Sequence, residues 1–234
     1  RVLPMMLDED RQVLVMNGDV PLLRSESVER LCLSHSNKSA SMSLLTVSDV
    51  IDQELGIIHR DVERRITHIL EAADRPEPES DGLLEANVGV YCFDPKFLEL
   101  SINKITANKF GERYITSLAA IADEDGTEIN AENCFKSEEL LGVNNRIELS
   151  RVEAIERRRI LEHWMLSGVT IQDPGSVYID HDVVIGQDSI IFPNTALRGT
   201  TQIGQDCQIG PNSVVDNSVI GDRNRIVCSN LESS

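Results

Sequence analysis

Aromatic residues are scarce in this chain of 234 residues, and basic residues are far outnumbered by acidic ones. Phe, Trp and Tyr make up 4% of the sequence, so aliphatic side chains must supply most of any hydrophobic core. The 22 Lys and Arg residues stand against 39 Asp and Glu, which gives a formal charge of −17. A surface of this charge does not neutralise phosphates along a groove, which argues against a nucleic-acid partner.

Long apolar runs and regularly spaced cysteines are missing as well. No stretch is apolar for long enough to cross a bilayer, so we expect no membrane partner. The five cysteines show no CxxC or Cys/His spacing, which argues against a zinc site. Scattered thiols of this kind are typical of a reduced, cytoplasmic protein. The cysteines are Cys32, Cys92, Cys134, Cys207 and Cys228.

A repeat of six residues organises the second part of the chain. The segment IGQDSIIFPNT, which starts at Ile185, is matched eighteen residues later by IGQDCQIGPNS at Ile203. A period of six nested in eighteen predicts a three-sided parallel β-helix with three short strands in each coil. The phase of the repeat slips by one after Val215. Its aliphatic positions are Ile179, Ile185, Ile191, Leu197, Ile203, Ile209 and Val215.

The first part of the chain alternates short apolar runs with helical patterns. The run at residues 12–16 (QVLVM) predicts a buried parallel strand that ends at Asn17-Gly18-Asp19. Sites form at the carboxyl ends of such strands, so Asp19 is a candidate, although aspartate is also common in turns. Further strands are predicted at 41–47, 54–60, 64–70, 83–93 and 127–131, and helices at 25–35, 95–100 and 114–123.

A long helical pattern separates the two parts. Its apolar residues recur mostly three or four positions apart, from Ile147 to Met165, and predict one buried stripe. The basic triplet at 157–159 is expected to lie on the solvated face of this helix. We therefore predict an α/β domain at 1–143, a linker helix at 144–168 and the β-helix at 169–234.

Five short stretches, in this order, carry a family resemblance. They are VLVMNGDVPL at Val13, EANVG at Glu85, GERYIT at Gly111, GVNNRIELSR at Gly142 and GVTIQDP at Gly168. Together with the hexapeptides they resemble the bacterial bifunctional UDP-N-acetylglucosamine pyrophosphorylases/glucosamine-1-phosphate N-acetyltransferases. The GVNNR junction, followed by a helix and then hexapeptides, is the specific part, and the resemblance runs through essentially all of the chain.

The resemblance implies both a fold and a function. The fold is of the α/β class: a partial Rossmann-like nucleotidyltransferase domain, a linker helix and a left-handed parallel β-helix. Members of the family transfer UMP from UTP to N-acetylglucosamine 1-phosphate and release pyrophosphate. They also acetylate glucosamine 1-phosphate from acetyl-CoA. A cytoplasmic homotrimer, held through the β-helix and supplying UDP-N-acetylglucosamine for cell wall and lipopolysaccharide, is the implied assembly.

The resemblance also implies a metal site. Asp19 and Asn144 match the two protein ligands of the family's catalytic Mg²⁺. One carboxylate and one amide oxygen make a sparse site that water and phosphates complete, as phosphoryl transfer requires. No residue of this chain is assigned as a general acid or base.

The implied substrate-binding residues lie in the same part of the chain. Gly56 matches a glycine whose backbone amide faces the sugar, and Glu71 matches a glutamate that hydrogen-bonds sugar hydroxyls. Asn87 matches the asparagine that contacts N-acetylglucosamine. The substrate-binding set is completed by Asn17, Gly18 and the two metal-ligand matches, Asp19 and Asn144.

The chain departs from the family pattern at charged positions. The arginine after the matching glycine is replaced by Ile57, the lysine after the matching glutamate is missing near Ala73, and Ser117 replaces an aspartate. The glycine-rich triphosphate loop and the Gly-Thr-Ala segment are not in this chain, and the family's acetyltransferase residues would follow Ser234. We therefore expect a central piece of a longer protein, inactive by itself.

Two other functions remain open on these residues. One is a non-catalytic remnant that serves as a structural or oligomerising module, which the lost charges favour. The other is a related sugar-1-phosphate nucleotidyltransferase with a β-helix tail, such as a glucose-1-phosphate adenylyltransferase. The GVNNR junction and the context of Asn87 argue against this second alternative.

Overall fold

The computed structural model describes residues 12–50, 55–75, 84–134 and 137–233. The chain forms two compact units, Arg1–Asn144 and Asn145–Ser234. The predicted fold class is confirmed, because a mixed α/β sheet is followed by a long helix and a parallel β-solenoid. The segment at 74–82 is rich in Pro, Glu and Asp, which predicts a loop, and it falls almost wholly outside the described residues.

The first unit is built on a six-stranded sheet. Its order is β4-β3-β5-β2-β6, and β1 pairs with β5 beside this path. The strands are β1 (Val13–Met16), β2 (Met42–Val50), β3 (Ile57–Arg60), β4 (Ile66–Leu70), β5 (Leu84–Phe93) and β6 (Ile129–Asn133).

Strand β5 is the centre of this sheet and is buried over most of its length. Strand β2 lies antiparallel along one edge of β5. The other edge is shared, because β1 pairs with residues 90–93 while β3 pairs at Ala86. A gap therefore remains on this edge at residues 87–89, between the end of β1 and the start of β3.

The prediction for the first strand was wrong in direction and burial. Strand β1 runs antiparallel to β5, with Met16 opposite Val90. Val13 is buried, but Leu14 and Met16 are 37% and 51% exposed. An apolar run records β propensity and cannot specify the direction of its partner or how many faces will be covered.

Helices cover both faces of the sheet. Alternate residues of β5 point to opposite sides, so Tyr91 and Phe93 pack into one core while Val90 and Cys92 pack into another. The first core includes apolar residues of α2 and α3, and the second includes Leu31 of α1. These helices are α1 (Ser25–Lys38), α2 (Pro95–Ser101) and α3 (Ser117–Glu124).

The second unit begins with helix α4 (Arg146–Leu166). Asn145 caps it, because the side-chain Oδ1 accepts the N–H groups of Ile147 and Glu148, both at 3.0 Å. The predicted apolar stripe was wrong at Ile147, which is 68% exposed, whereas Val152 and Leu161 are buried. Among the described residues, no helix is both long enough and apolar enough to span a membrane.

Eleven short strands then form a solenoid of three parallel sheets, two of four strands and one of three. Each side of the coil contributes one strand, and equivalent strands of successive coils pair in register. The strands are β7 (Thr170–Ile171), β8 (Tyr178–Ile179), β9 (Val184–Ile185), β10 (Ile190–Ile191), β11 (Ala196–Arg198), β12 (Gln202–Ile203), β13 (Gln208–Ile209), β14 (Val214–Asp216), β15 (Val219–Ile220), β16 (Arg225–Ile226) and β17 (Asn230–Glu232).

The register confirms the period and its slip. Ile185 pairs with Ile203, eighteen positions later, whereas Ile203 pairs with Ile220 after seventeen. The first strand of the coil precedes Ile179, the first aliphatic position of the repeat, since Ile171 pairs with Ile191. The repeat also has a small or β-branched residue four positions after each of its first six aliphatic residues, and these residues are buried at the corners. These are Val183, Ser189, Thr195, Thr201, Cys207 and Ser213.

Candidate functional site

The gap on the edge of β5 is shaped by a glycine. Gly89 adopts a φ of +78°, and the side-chain amide of Asn17 occupies the space that a Cβ at this position would take. The backbone N–H of Asn17 also donates to the carbonyl of Gly89 at 3.0 Å. The end of β1 is thereby fixed directly beside the gap.

Asn87 lies within the gap and is only 8% exposed. Its side-chain Nδ2 donates to the hydroxyl of Tyr91 at 2.7 Å, and its Oδ1 accepts the N–H of Gly89 at 3.1 Å. Its own backbone N–H donates to the carbonyl of Gly56 at 2.8 Å. Asn87 therefore joins the turn before β3 to the central strand.

Gly56 and Glu71 lie at the open end of the hairpin formed by β3 and β4. A Cβ on Gly56 would stand 3.2 Å from Oε2 of Glu71, so the carboxylate lies directly against this glycine. The other carboxylate oxygen accepts the hydroxyl of Thr116 at 2.7 Å. Thr116 is 3% exposed and lies just before α3, which holds the carboxylate in one orientation.

Three functional candidates were missed by the sequence. Thr116 belongs to the GERYIT stretch but had no role there, and Tyr91 resembled an ordinary core aromatic. Burial raises the pKa of the Tyr91 hydroxyl above its ordinary value, so this group stays protonated at neutral pH. Arg75 donates from Nη2 to the carbonyl of Leu55, the residue before Gly56, so its guanidinium group lies close to this glycine. Its position follows from the fold and has no signal in the local sequence.

Asp19 and the residue before Asn144 come from distant parts of the chain and are joined through the backbone. The N–H of Val143 donates to the carbonyl of Asp19 at 2.9 Å, so Asn144 follows a direct partner of Asp19. Both side chains belong to exposed residues. Asn144 directly precedes Asn145, the residue whose side chain caps α4.

This pair fits a hard divalent cation in donor chemistry and in exposure. Carboxylate and amide oxygens suit Mg²⁺, which usually keeps several waters and binds phosphates through its remaining positions. Exposure leaves room for those ligands. Among the described residues there is no group of three or more His, Cys, Asp or Glu side chains that could hold a metal ion without such help.

The candidate residues therefore fall into two neighbouring sets joined by the turn after β1. Asn17, Gly56, Glu71 and Asn87 form a chain of contacts along the gap, whereas Asp19 lies beside the segment that contains Asn144. Gly18 connects the two sets along the chain, and a Cβ placed on it would meet nothing within 4 Å beyond its chain neighbours.

Comparisons with known proteins agree with this architecture. The Nucleotidyl transferase family model matches residues 2–137. The Bifunctional protein GlmU of Clostridioides difficile is 40% identical over 225 residues, covering 96% of this chain and 49% of that protein. The Fervidobacterium nodosum protein of the same name is 38% identical over 229 residues, covering 97% of this chain and 49% of its own.

A third relative gives the same result. The Bifunctional protein GlmU of Synechococcus elongatus is 39% identical over 223 residues, which cover 95% of this chain and 48% of the relative. The chain thus spans about half the length of the curated relatives that it matches. Since the Nucleotidyl transferase family model matches more than half of the residues of this chain, the chain belongs to the nucleotidyl transferase family.

Proposed function

We propose that this chain supplies the sugar-phosphate and metal side of an enzyme that transfers UMP from UTP to N-acetylglucosamine 1-phosphate. A phosphate oxygen of the sugar 1-phosphate attacks the α-phosphorus of UTP, and pyrophosphate leaves with the cleaved bond's electrons. The supporting observation is the gap on β5, where Asn17, Gly56, Glu71 and Asn87 form one connected set beside Asp19. No general acid or base is assigned, because the attacking phosphate is already an anion.

Each residue has a stated task in this proposal. Glu71 accepts hydrogen bonds from sugar hydroxyls, and Thr116 keeps its carboxylate aimed into the gap. Asn87 contacts the sugar through an amide whose orientation is set by Tyr91 and Gly89. Such prior orientation lowers the entropy lost when substrate is bound in the reactive geometry.

Asp19 and Asn144 are the proposed protein ligands of Mg²⁺. When bound, the ion offsets the charge that develops on the phosphate oxygens during transfer. The backbone bond between Val143 and Asp19 supports this assignment, because it joins the segments that carry the two ligands. This arrangement lets one loop serve both the metal and the substrate.

The activity of a longer parent protein is part of the same proposal. GlmU relatives are named bifunctional, and the solenoid here supports a second, acetyl-CoA-dependent acetylation of glucosamine 1-phosphate in a homotrimeric parent. All five cysteines are free thiols, which agrees with a reducing, cytoplasmic compartment. Apart from the lost charges at Ile57, Ala73 and Ser117, no feature of the described residues favours the non-catalytic remnant, and none favours the adenylyltransferase-like alternative.

Direct binding tests the proposal without depending on turnover. Mn²⁺ replaces Mg²⁺ as a spectroscopic probe, and its affinity is measured by electron paramagnetic resonance with and without N-acetylglucosamine 1-phosphate. We expect Asp19→Ala and Asn144→Ala each to weaken Mn²⁺ binding by about tenfold or more, since sparse sites depend on every ligand. The exposed Asp182, in the solenoid, supplies a control variant, Asp182→Ala, which should bind like the wild type. Unchanged affinity in Asp19→Ala would contradict the metal site.

A further inference from the structure

Glu139 is a buried carboxylate that the sequence did not single out. It lies in the short 3₁₀ turn Ser137–Leu140, shortly before Gly142, and is 0% exposed. A carboxylate loses its hydration in such a place, so buried carboxylates are normally retained with hydrogen-bond partners. The identity of that partner indicates what the side chain does.

The partner is the start of helix α1. Oε2 of Glu139 accepts the backbone N–H of Arg24 at 3.2 Å, across 115 positions of sequence. Arg24 occupies the N-cap position of α1, where the helix presents its partial positive charge. The carboxylate therefore meets both a donor and a favourable field, and it holds the end of the loop that contains Asp19.

A second hydrogen bond joins the segment that follows Asp19 to the segment that follows Glu139, at the end opposite to the Arg24–Glu139 bond. Asp19 and Val143 are joined through the backbone at 2.9 Å, while Arg24 and Glu139 are joined through the side chain. The segments 19–24 and 139–143 consequently lie against each other with a tie at each end. The two proposed metal ligands are at one end of this pair, and Glu139 is at the opposite end.

We propose that Glu139 is a positioning residue, which holds the start of α1 against residues 139–144 and so keeps Asp19 beside Asn144. This inference rests on the proposed metal site. Only one oxygen of Glu139 is needed for the task. Oε1 is buried and has no hydrogen-bond partner within the part of the chain that the structure describes.

Because one accepting oxygen is enough for this role, three substitutions of Glu139 can test it. Glu139→Gln keeps the length of the side chain and an accepting oxygen, whereas Glu139→Met keeps the approximate volume and removes the acceptor. Glu139→Asp keeps the charge but withdraws it by one methylene, so it loses the reach to Arg24. Glu29, an exposed glutamate of α1, provides the matched control Glu29→Met.

Two measurements on the whole chain test the role, and neither is catalytic activity. The first is amide hydrogen exchange at Val143 in metal-free protein by NMR, with the amides of β5 as an internal reference for folding. The second is Mn²⁺ affinity by electron paramagnetic resonance. A general loss of packing would accelerate β5 as well, whereas loss of the tie would accelerate Val143 selectively.

In Glu139→Met we expect the amide of Val143 to exchange about tenfold faster relative to the β5 amides. We also expect Mn²⁺ to bind about tenfold more weakly. A factor of ten corresponds to the loss of one hydrogen bond that contributes ~1.4 kcal/mol. Glu139→Gln should stay within about threefold of wild type in both measurements, since the acceptor is retained. Glu29→Met should match the wild type. If Glu139→Met does not fold, Glu139→Asp carries the same expectation.

Wild-type values in Glu139→Met, or equal damage in Glu139→Gln and Glu139→Met, would overturn the positioning role. Asp19→Ala separates this role from the metal site. Unchanged Mn²⁺ affinity in Asp19→Ala overturns the metal site itself and with it the positioning role. Weakened affinity in Asp19→Ala, combined with unchanged affinity in Glu139→Met, overturns the role of Glu139 alone.

Discussion

Asn17 and Gly89 meet where β1 ends on β5. The backbone N–H of Asn17 donates to the carbonyl of Gly89 at 3.0 Å, and the Asn17 side-chain amide lies where a Cβ of residue 89 would stand. The contact is possible only because residue 89 has no side chain and tolerates a φ of +78°. One glycine thus decides how close the Asn-Gly-Asp turn comes to Asn87.

Replacement of this glycine is the first test. Gly89→Ala adds backbone strain of about 1–2 kcal/mol for the left-handed conformation. It also forces Asn17 aside, and overpacking of this kind costs about 1–3 kcal/mol more. We expect the free energy of unfolding of the first unit to fall by the sum of both effects, as measured by urea-dependent hydrogen exchange of the β5 amides.

Gly126 is the matched control for strain alone. It has a φ of +69°, but a Cβ there would meet nothing within 4 Å. Gly126→Ala should therefore lower the free energy of unfolding only by the backbone strain, about 1–2 kcal/mol. Equal losses in the two variants would show that the packing of Asn17 on Gly89 contributes nothing.

The bond between Thr116 and Glu71 supports a second prediction. Thr116→Val removes the hydroxyl that donates to Oε1 of Glu71 at 2.7 Å and keeps the shape of the side chain. The carboxylate then loses a fixed orientation, and affinity for N-acetylglucosamine 1-phosphate should fall about two- to tenfold, since such a bond contributes roughly 0.5–1.5 kcal/mol. Titration calorimetry measures the change.

Thr170→Val, at an exposed threonine of the solenoid, is the control for this substitution. It should leave the affinity for the sugar phosphate at the wild-type value. A Thr116→Val variant that binds as tightly as Thr170→Val would rule out a positioning role for the Thr116 hydroxyl.

His35 gives the third prediction, a dependence of stability on pH. His35 is buried in α1, with Nδ1 2.8 Å from the hydroxyl of Ser43. Burial lowers its pKa below 6.5, although the charge of Asp94 opposes this shift. As pH falls below about 6.5, the unfolded chain gains a proton at this residue that the folded chain does not, so the free energy of unfolding decreases.

His35→Gln should remove this part of the pH dependence. Stability measured by urea unfolding between about pH 7.5 and 5.5 should fall less steeply in the variant than in the wild type, because the variant lacks the group whose pKa is lowered on folding. His181→Gln, at an exposed histidine, should keep the wild-type slope. The interpretation fails if His35→Gln and the wild type lose stability in parallel.

The fourth prediction concerns the corners of the solenoid. The hydroxyl of Ser189 donates to the carbonyl of Gly204 at 2.8 Å and accepts the N–H of Cys207 at 3.0 Å. Ser189→Ala leaves both groups without this buried partner, which should destabilise the second unit by about 1–3 kcal/mol. Trp164 is the only tryptophan and packs against the solenoid core, so its fluorescence during urea unfolding reports this unit.

Ser229→Ala is the comparison for this corner. Its hydroxyl donates to the carbonyl of Val227 at 2.8 Å on an exposed part of the last coil. The loss there should stay within about 0.5 kcal/mol, as is usual for surface substitutions. A Ser189→Ala variant as stable as Ser229→Ala would mean that the corner hydroxyls do not stabilise the coil.

The sequence determined the solenoid almost completely. Its period, its inward aliphatic residues and its slip after Val215 are local properties, because each coil repeats the same spacing against its neighbour. Ile171 lies within the predicted β-helix at 169–234 but stands eight residues before Ile179, so it does not follow the six-residue spacing. The family motifs also nominated Asp19, Asn144 and the residues of the sugar-binding set, and their roles stay predictions.

Only the tertiary structure decided how those residues meet. Strand direction was one such decision, because β1 pairs antiparallel with β5 although its apolar run resembles a parallel strand. Nothing local joins Thr116 to Glu71, or Glu139 to Arg24, across 45 and 115 positions of sequence. Sequence patterns report which side of an element is apolar, whereas such pairings depend on which elements the sheet places side by side. Long-range hydrogen bonds arise from that placement, and they position the candidate site residues.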